Sequence, residues 1–124
     1  MPNEILLDIF ERIAESIQMV EERFSEINHA SDFKATKQGE TNFDAIMMRF
    51  QIVGELLKQA DKLDNVLLSK FPQVQWNEIM KMREIISHHY DLLDYEVIYL
   101  SCKTDLPILK TTVAAIVVYL KSRK

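Results

Sequence analysis

The 124-residue chain is predicted to be all-α, an up-and-down bundle of four to five helices in one domain spanning residues 1–124. Three observations predict it. Apolar residues recur at steps of three and four over long stretches, which is the period of a helix with one buried face. Glycine occurs only twice and proline three times, too few for a protein of many tight turns. The hydrophobic fraction, 48%, is enough for a single helical core at this length.

The first helix is expected from about Asn3 to Ile27, started by Asn3 or Pro2. Its apolar stripe is Ile5, Leu6, Ile9, Phe10, Ile13, Ile17, Val20, Phe24 and Ile27. From Asn28 to Thr41 the sequence turns polar and reads as a mobile connection. Asn42 is the expected cap of a second helix reaching about Ser69, with Phe43, Ile46, Met47, Phe50, Val53, Leu57, Ala60 and Leu67 facing inward. Gly54 inside that helix costs ~1 kcal/mol against alanine, which either close approach of another helix or an inconsequential surface position explains. Phe71-Pro72 breaks the chain, because proline disfavours a helical residue before it.

A third helix is expected from near Trp76, closing between Asp91 and Asp94, and Asp94 caps a short fourth helix through Tyr95, Ile98 and Tyr99. Thr104-Asp105-Leu106-Pro107 reads as the start of a last helix running towards Ser122. The β-branched Val113, Ile116, Val117 and Val118 work against helix there.

The formal net charge is −4, so any contact with nucleic acid must be local, around particular Arg and Lys residues. Cys102 is the single cysteine; no intramolecular disulfide is open to it, and a small apolar filler is the reading its helical register favours. The start of the chain lacks the basic region of a secretory signal, and the longest apolar run, Val113 to Leu120, is short of the ~20 residues that span a bilayer. A soluble, cytoplasmic protein without a membrane partner is the expectation.

The chemistry concentrates in Met82-Arg83-Glu84-Ile85-Ile86-Ser87-His88-His89-Tyr90. One short segment carries a fixed cation, a base that titrates near neutral pH and a phenol, groups suited to a phosphodiester. At 100° per residue, Trp76, Ile79, Met80, Arg83, Ile86, Ser87 and Tyr90 share one sector, with Asn77, Lys81, Glu84 and His88 beside it. Arg83 therefore lies among large apolar residues and needs an anionic partner: a phosphate, or a carboxylate of another helix such as Glu55. Glu84, four residues before His88, can hold one imidazole nitrogen and leave the other free. His88 and His89 are adjacent and point to different sides, which argues against a two-histidine metal site. Ser87 has no acyl-transfer elbow around it and there is no glycine-rich phosphate cradle.

Arg83, His88 and Tyr90, together with Trp76, the Phe50–Glu55 segment containing Gly54-Glu55, the Pro72-to-Trp76 lead-in and Asp105-Leu106-Pro107, resemble the HepT-like group of HEPN-domain proteins. The resemblance covers most of the chain. It implies a small helical domain that dimerises with two motif helices facing each other. It also implies a metal-independent endoribonuclease toxin of a toxin–antitoxin module, using no cofactor of its own. The implied partners are RNA, a second copy of the chain, and a minimal nucleotidyltransferase antitoxin that uses ATP and magnesium to attach AMP to the motif tyrosine. Carried onto this sequence, Arg83, His88 and Tyr90 become catalytic, with Tyr90 also the AMP acceptor; Glu84 and Ser87 beside them are the expected orienting residues. Where the family usually has a small polar residue after the arginine, this chain has Glu84. A binding or substrate-presenting subunit of the nucleotidyltransferase, without nuclease activity, is the alternative from another class.

Overall fold

The computed structural model describes residues 2–123, and among them every regular element is helical. In chain order these are α1 (Pro2–Phe24), α2 (Asp32–Ala35), α3 (Lys37–Leu63), α4 (Trp76–His88), α5 (Tyr95–Leu100) and α6 (Leu106–Ser122). Short 3₁₀ turns at Leu67–Lys70 and Tyr90–Leu92 flank α4, and a π-helical turn, Ser101–Asp105, joins α5 to α6.

The core is built by α1, α3 and α6. Phe10, Ile13 and Val20 of α1, Ile46, Met47 and Leu57 of α3, and Val113, Ile116 and Leu120 of α6 are all fully buried. Burying one such side chain contributes about 1.5–3 kcal/mol. That gain explains why α6 is helical despite its β-branched residues: Val113 and Ile116 fill the interior, while Val118 points to solvent. Asn3 stitches the two ends of the chain together, donating to the Leu120 carbonyl at 3.1 Å and accepting from Arg123 Nε at 3.0 Å. Ile5 departs from the predicted stripe and is exposed.

Between α1 and α3 the structure differs from the expected mobile connection. Phe33 of α2 is fully buried, edge-on to Phe43 at 5.1 Å and stacked on Tyr95 at 6.2 Å. Asp32 accepts from the backbone N–H groups of Asn28 and His29, which holds its carboxyl below the usual range. A Cβ on Gly39 would fall 1.9 Å from the Asp32 carbonyl oxygen, so only glycine fits this corner. Polar composition concealed one buried aromatic anchor.

Other boundaries move for local reasons. Thr36 rather than Asn42 caps α3, accepting from Gly39 N at 2.9 Å; Asn42 is buried inside the helix. Asp64 ends α3 before Ser69 by binding the N–H groups of Val66 and Leu67. The indole N–H of Trp76 donates to the Phe71 carbonyl at 2.9 Å and pins the start of α4 beyond Pro72. Asp94 caps α5 as expected, accepting from Glu96 N and Val97 N. Asp105 makes no such cap, because the backbone from α5 into α6 never leaves helical angles. Cys102, buried in that turn, has its thiol pushed up to about 12 by burial, in keeping with a filler. Among the described residues no helix is long and apolar enough to cross a membrane.

Candidate active site

Helix α4 lies along α3, and Gly54 sets how closely. A Cβ there would come within 2.7 Å of the Arg83 Cβ, so the bare glycine gives the arginine stem its place against α3. Of the two explanations for Gly54, close helix approach is the one that holds. Arg83 is half-buried, as its position among Ile79, Met80 and Ile86 requires.

The guanidinium has two carboxylate partners. Nε is 2.7 Å from Glu55 Oε2, both atoms shielded from water though not aligned as a hydrogen bond. Nη1 donates to Glu84 Oε1 at 2.6 Å. The other oxygen of Glu84 lies 3.5 Å from His88 Nε2, and Lys58 Nζ approaches Oε1 at 3.7 Å. Glu84 thus bridges the arginine and the histidine. The His88 side chain is 68% exposed. Ser87 is held from α3, its hydroxyl accepting from Gln51 Nε2 at 2.9 Å.

Tyr90 is placed differently from the expectation. Helix α4 ends at His88, and His89 leaves helical angles (φ −138°, ψ 40°), so the 100° register does not extend to Tyr90. The tyrosine stands on the following 3₁₀ turn, its ring edge-on to Phe43 at 6.0 Å and its hydroxyl donating to Asp44 Oδ1. Desolvation first, then the Asp44 carboxylate, push its pKa well above the usual phenol value. Arg83, Glu84 and His88 are therefore one cluster; Tyr90 has a separate set of partners.

Of the α3 residues that face the motif, the charge on Arg83 points from sequence only to Glu55; Asp44, Gln51 and Lys58 gain their partners only in the fold. The signal was present as a polar stripe on α3, at positions 44, 51, 55 and 58, which recur at helical spacing opposite the motif. Among the described residues no three of His, Cys, Asp or Glu are grouped so as to hold a metal ion.

Comparison with known proteins places this site in context. The family model described as ribonuclease HepT-like matches residues 13–116, most of the chain, including every motif residue. A probable ribonuclease HepT from Thermococcus cleftensis is 34% identical over 103 residues, covering 83% of this chain and 87% of the relative. A gamma-glutamylcyclotransferase and putative RNase from Methanocaldococcus jannaschii is 30% identical over 112 residues, 90% of this chain but 47% of that longer protein. A putative RNase from the same organism is 32% identical over 69 residues, 56% of this chain and 61% of the relative. No solved structure matches at comparable stringency. On the extent of the family match and the identity to its relatives, the chain belongs to the HepT-like ribonuclease family.

Proposed function

We propose that the protein is a metal-independent endoribonuclease toxin whose site is completed by a second copy of the chain. The observation that carries this reading is the bridging carboxylate. Arg83 and His88 converge on Glu84, an anion held where a phosphate oxygen can take its place. RNA supplies the nucleophile: the ribose 2′-oxygen attacks phosphorus, the bond to the 5′-oxygen breaks, and a 2′,3′-cyclic phosphate and a 5′-hydroxyl result. His88 takes the 2′-hydroxyl proton, and the same residue of the second copy protonates the leaving oxygen. Arg83 binds the phosphate and stabilises its developing charge.

Support for a second copy comes from the outer face of α4 to α6. Ile85, Val97 and Ile108 are exposed there around a groove of about 770 Å³. An apolar band of this kind is characteristic of surfaces that meet a partner. Tyr90 is the acceptor for AMP from a minimal nucleotidyltransferase antitoxin, which brings ATP and magnesium. The adduct blocks the site by bulk and negative charge.

One feature favours a second reading, that of a non-catalytic subunit presented to the nucleotidyltransferase. Arg83 already has two carboxylate partners, and both compete with an RNA phosphate for the guanidinium. Incubation of the purified protein with total RNA separates the two. Cleavage that His88→Ala abolishes, with the fold intact, supports the nuclease; wild type as inert as the variant favours the presenting subunit.

A further inference from the structure

The Tyr90 hydroxyl lies at a cavity of about 290 Å³ that the Arg83–His88 cluster does not share. Asp44 and Glu40 of α3 and Asp91 of the 3₁₀ turn supply its carboxylates, and Phe43 and Tyr95 give it aromatic walls. Within this set the hydroxyl has one specific partner, Asp44 Oδ1, to which it donates. Asp44 is seven residues before Gln51 and eleven before Glu55, on the face of α3 that meets the motif, and Phe43 beside it is locked in the core. The Phe43 ring fixes the Tyr90 ring edge-on, so phenol and carboxylate are both held.

We propose that Asp44 is the proton acceptor for transfer of a nucleotidyl group to Tyr90, a role that rests on the reading of Tyr90 as the AMP acceptor. The reaction needs a nucleoside triphosphate as donor. The Tyr90 oxygen attacks the α-phosphorus and an oxygen–phosphorus bond forms. The bond from the α-phosphorus to the bridging oxygen breaks, and its electron pair leaves with pyrophosphate. The phenolic proton passes to Asp44 and then to water. A base is required because a phenol is protonated at neutral pH, and desolvation with the neighbouring carboxylate holds the proton on Tyr90 more firmly still. Aspartate serves other hydroxyl nucleophiles of phosphoryl transfer in the same way. Glu40 and Asp91 at the rim repel a bare triphosphate, so the donor must arrive with its charge neutralised by magnesium.

The test uses the full chain and adenosine 5′-phosphorimidazolide as a small AMP donor, with no partner enzyme. Intact mass and peptide mapping follow the adduct on Tyr90, with Tyr90→Phe as the site control. Asp44→Asn keeps size and hydrogen-bonding capacity but cannot accept the proton. At pH 7 it is expected to slow Tyr90 labelling by on the order of 10²-fold, the lower end of general-base effects. The ratio of wild-type to variant rate, in which the reagent's own pH dependence cancels, should fall about tenfold per pH unit between 7 and 9 as hydroxide replaces the lost base. Asp44→Glu should recover part of the rate. A ratio near one, a ratio constant with pH, or no wild-type adduct on Tyr90 overturns the proposal. Asp44-dependent labelling by the reagent, with Tyr90 left unmodified by a minimal nucleotidyltransferase and ATP, upholds the proton-transfer role and removes the AMP-acceptor reading alone.

Discussion

The two halves of the molecule are held by different forces. Helices α1, α3 and α6 share an interior of large apolar side chains, whereas α4 buries only Trp76 and Ile86, and α4 with the turn after it also meets α3 through polar pairs. Those pairs run along one face of α3: Asp44 to Tyr90, Gln51 to Ser87, Glu55 to Arg83, and Lys58 to Glu84. Apolar packing fixes the fold and tolerates no gap, while polar pairing fixes the direction of functional groups and adds little stability. Helix α3 belongs to both halves, core on one side and site scaffold on the other.

Breaking the apolar half has the largest expected effect. Phe10→Ala removes a fully buried ring and should cost about 3–5 kcal/mol in chemical denaturation. A loss under 1 kcal/mol would mean that the α1–α3–α6 interior is not the main source of stability. At the seam, Gly54→Ala sets a methyl group against the Arg83 stem and should cost about 1–3 kcal/mol, while loosening the Arg83–Glu55 pair. A neutral or stabilising result would contradict the close approach of α3 and α4.

On the polar side, Glu84→Gln should leave the fold intact and free Arg83 from one competing charge. A unit charge at this range is worth about 1 kcal/mol near water, so RNA affinity measured by filter binding should rise roughly fivefold. Weaker binding would show Glu84 to be a support for the site and not a competitor. The smallest effect is spectroscopic. In an alkaline titration followed by tyrosine absorbance, Tyr119 should ionise first, because hydrogen bonds from Lys70 and then Arg123 lower its pKa. Tyr90 should ionise last. Its folded-state pKa lies above the unfolded value near 10, so its contribution to stability is complete below about pH 10 and is lost as pH climbs through the folded value. Tyr90→Phe should remove that component.

The sequence made the apolar half legible because burial leaves a periodic trace: the stripes of α1 and α3 were readable almost to the residue. The motif helix was legible as far as His88. The Arg83–Glu55 pair was legible as a need, since a charge on an apolar face demands an opposite one, but spacing alone could not choose between Glu55 and phosphate. Tyr90 was misplaced because a helical wheel assumes that the helix continues, and nothing local marked the break at His89. The corner at residues 28–41 was missed because one buried phenylalanine, Phe33, outweighs a polar neighbourhood. Asp44 escaped notice because a single carboxylate on a polar face is ordinary until its partner is known.

The central claim is that Arg83 and His88 act together on one phosphodiester. Single-turnover cleavage of a short end-labelled RNA, in chelator, tests it most directly. Wild type should cut and leave 2′,3′-cyclic phosphate ends, and Arg83→Ala and His88→Ala, each confirmed folded, should each slow the step by on the order of 10²–10³. Uncut RNA with wild type and with Glu84→Gln alike, or cleavage that survives loss of either side chain, would contradict the account.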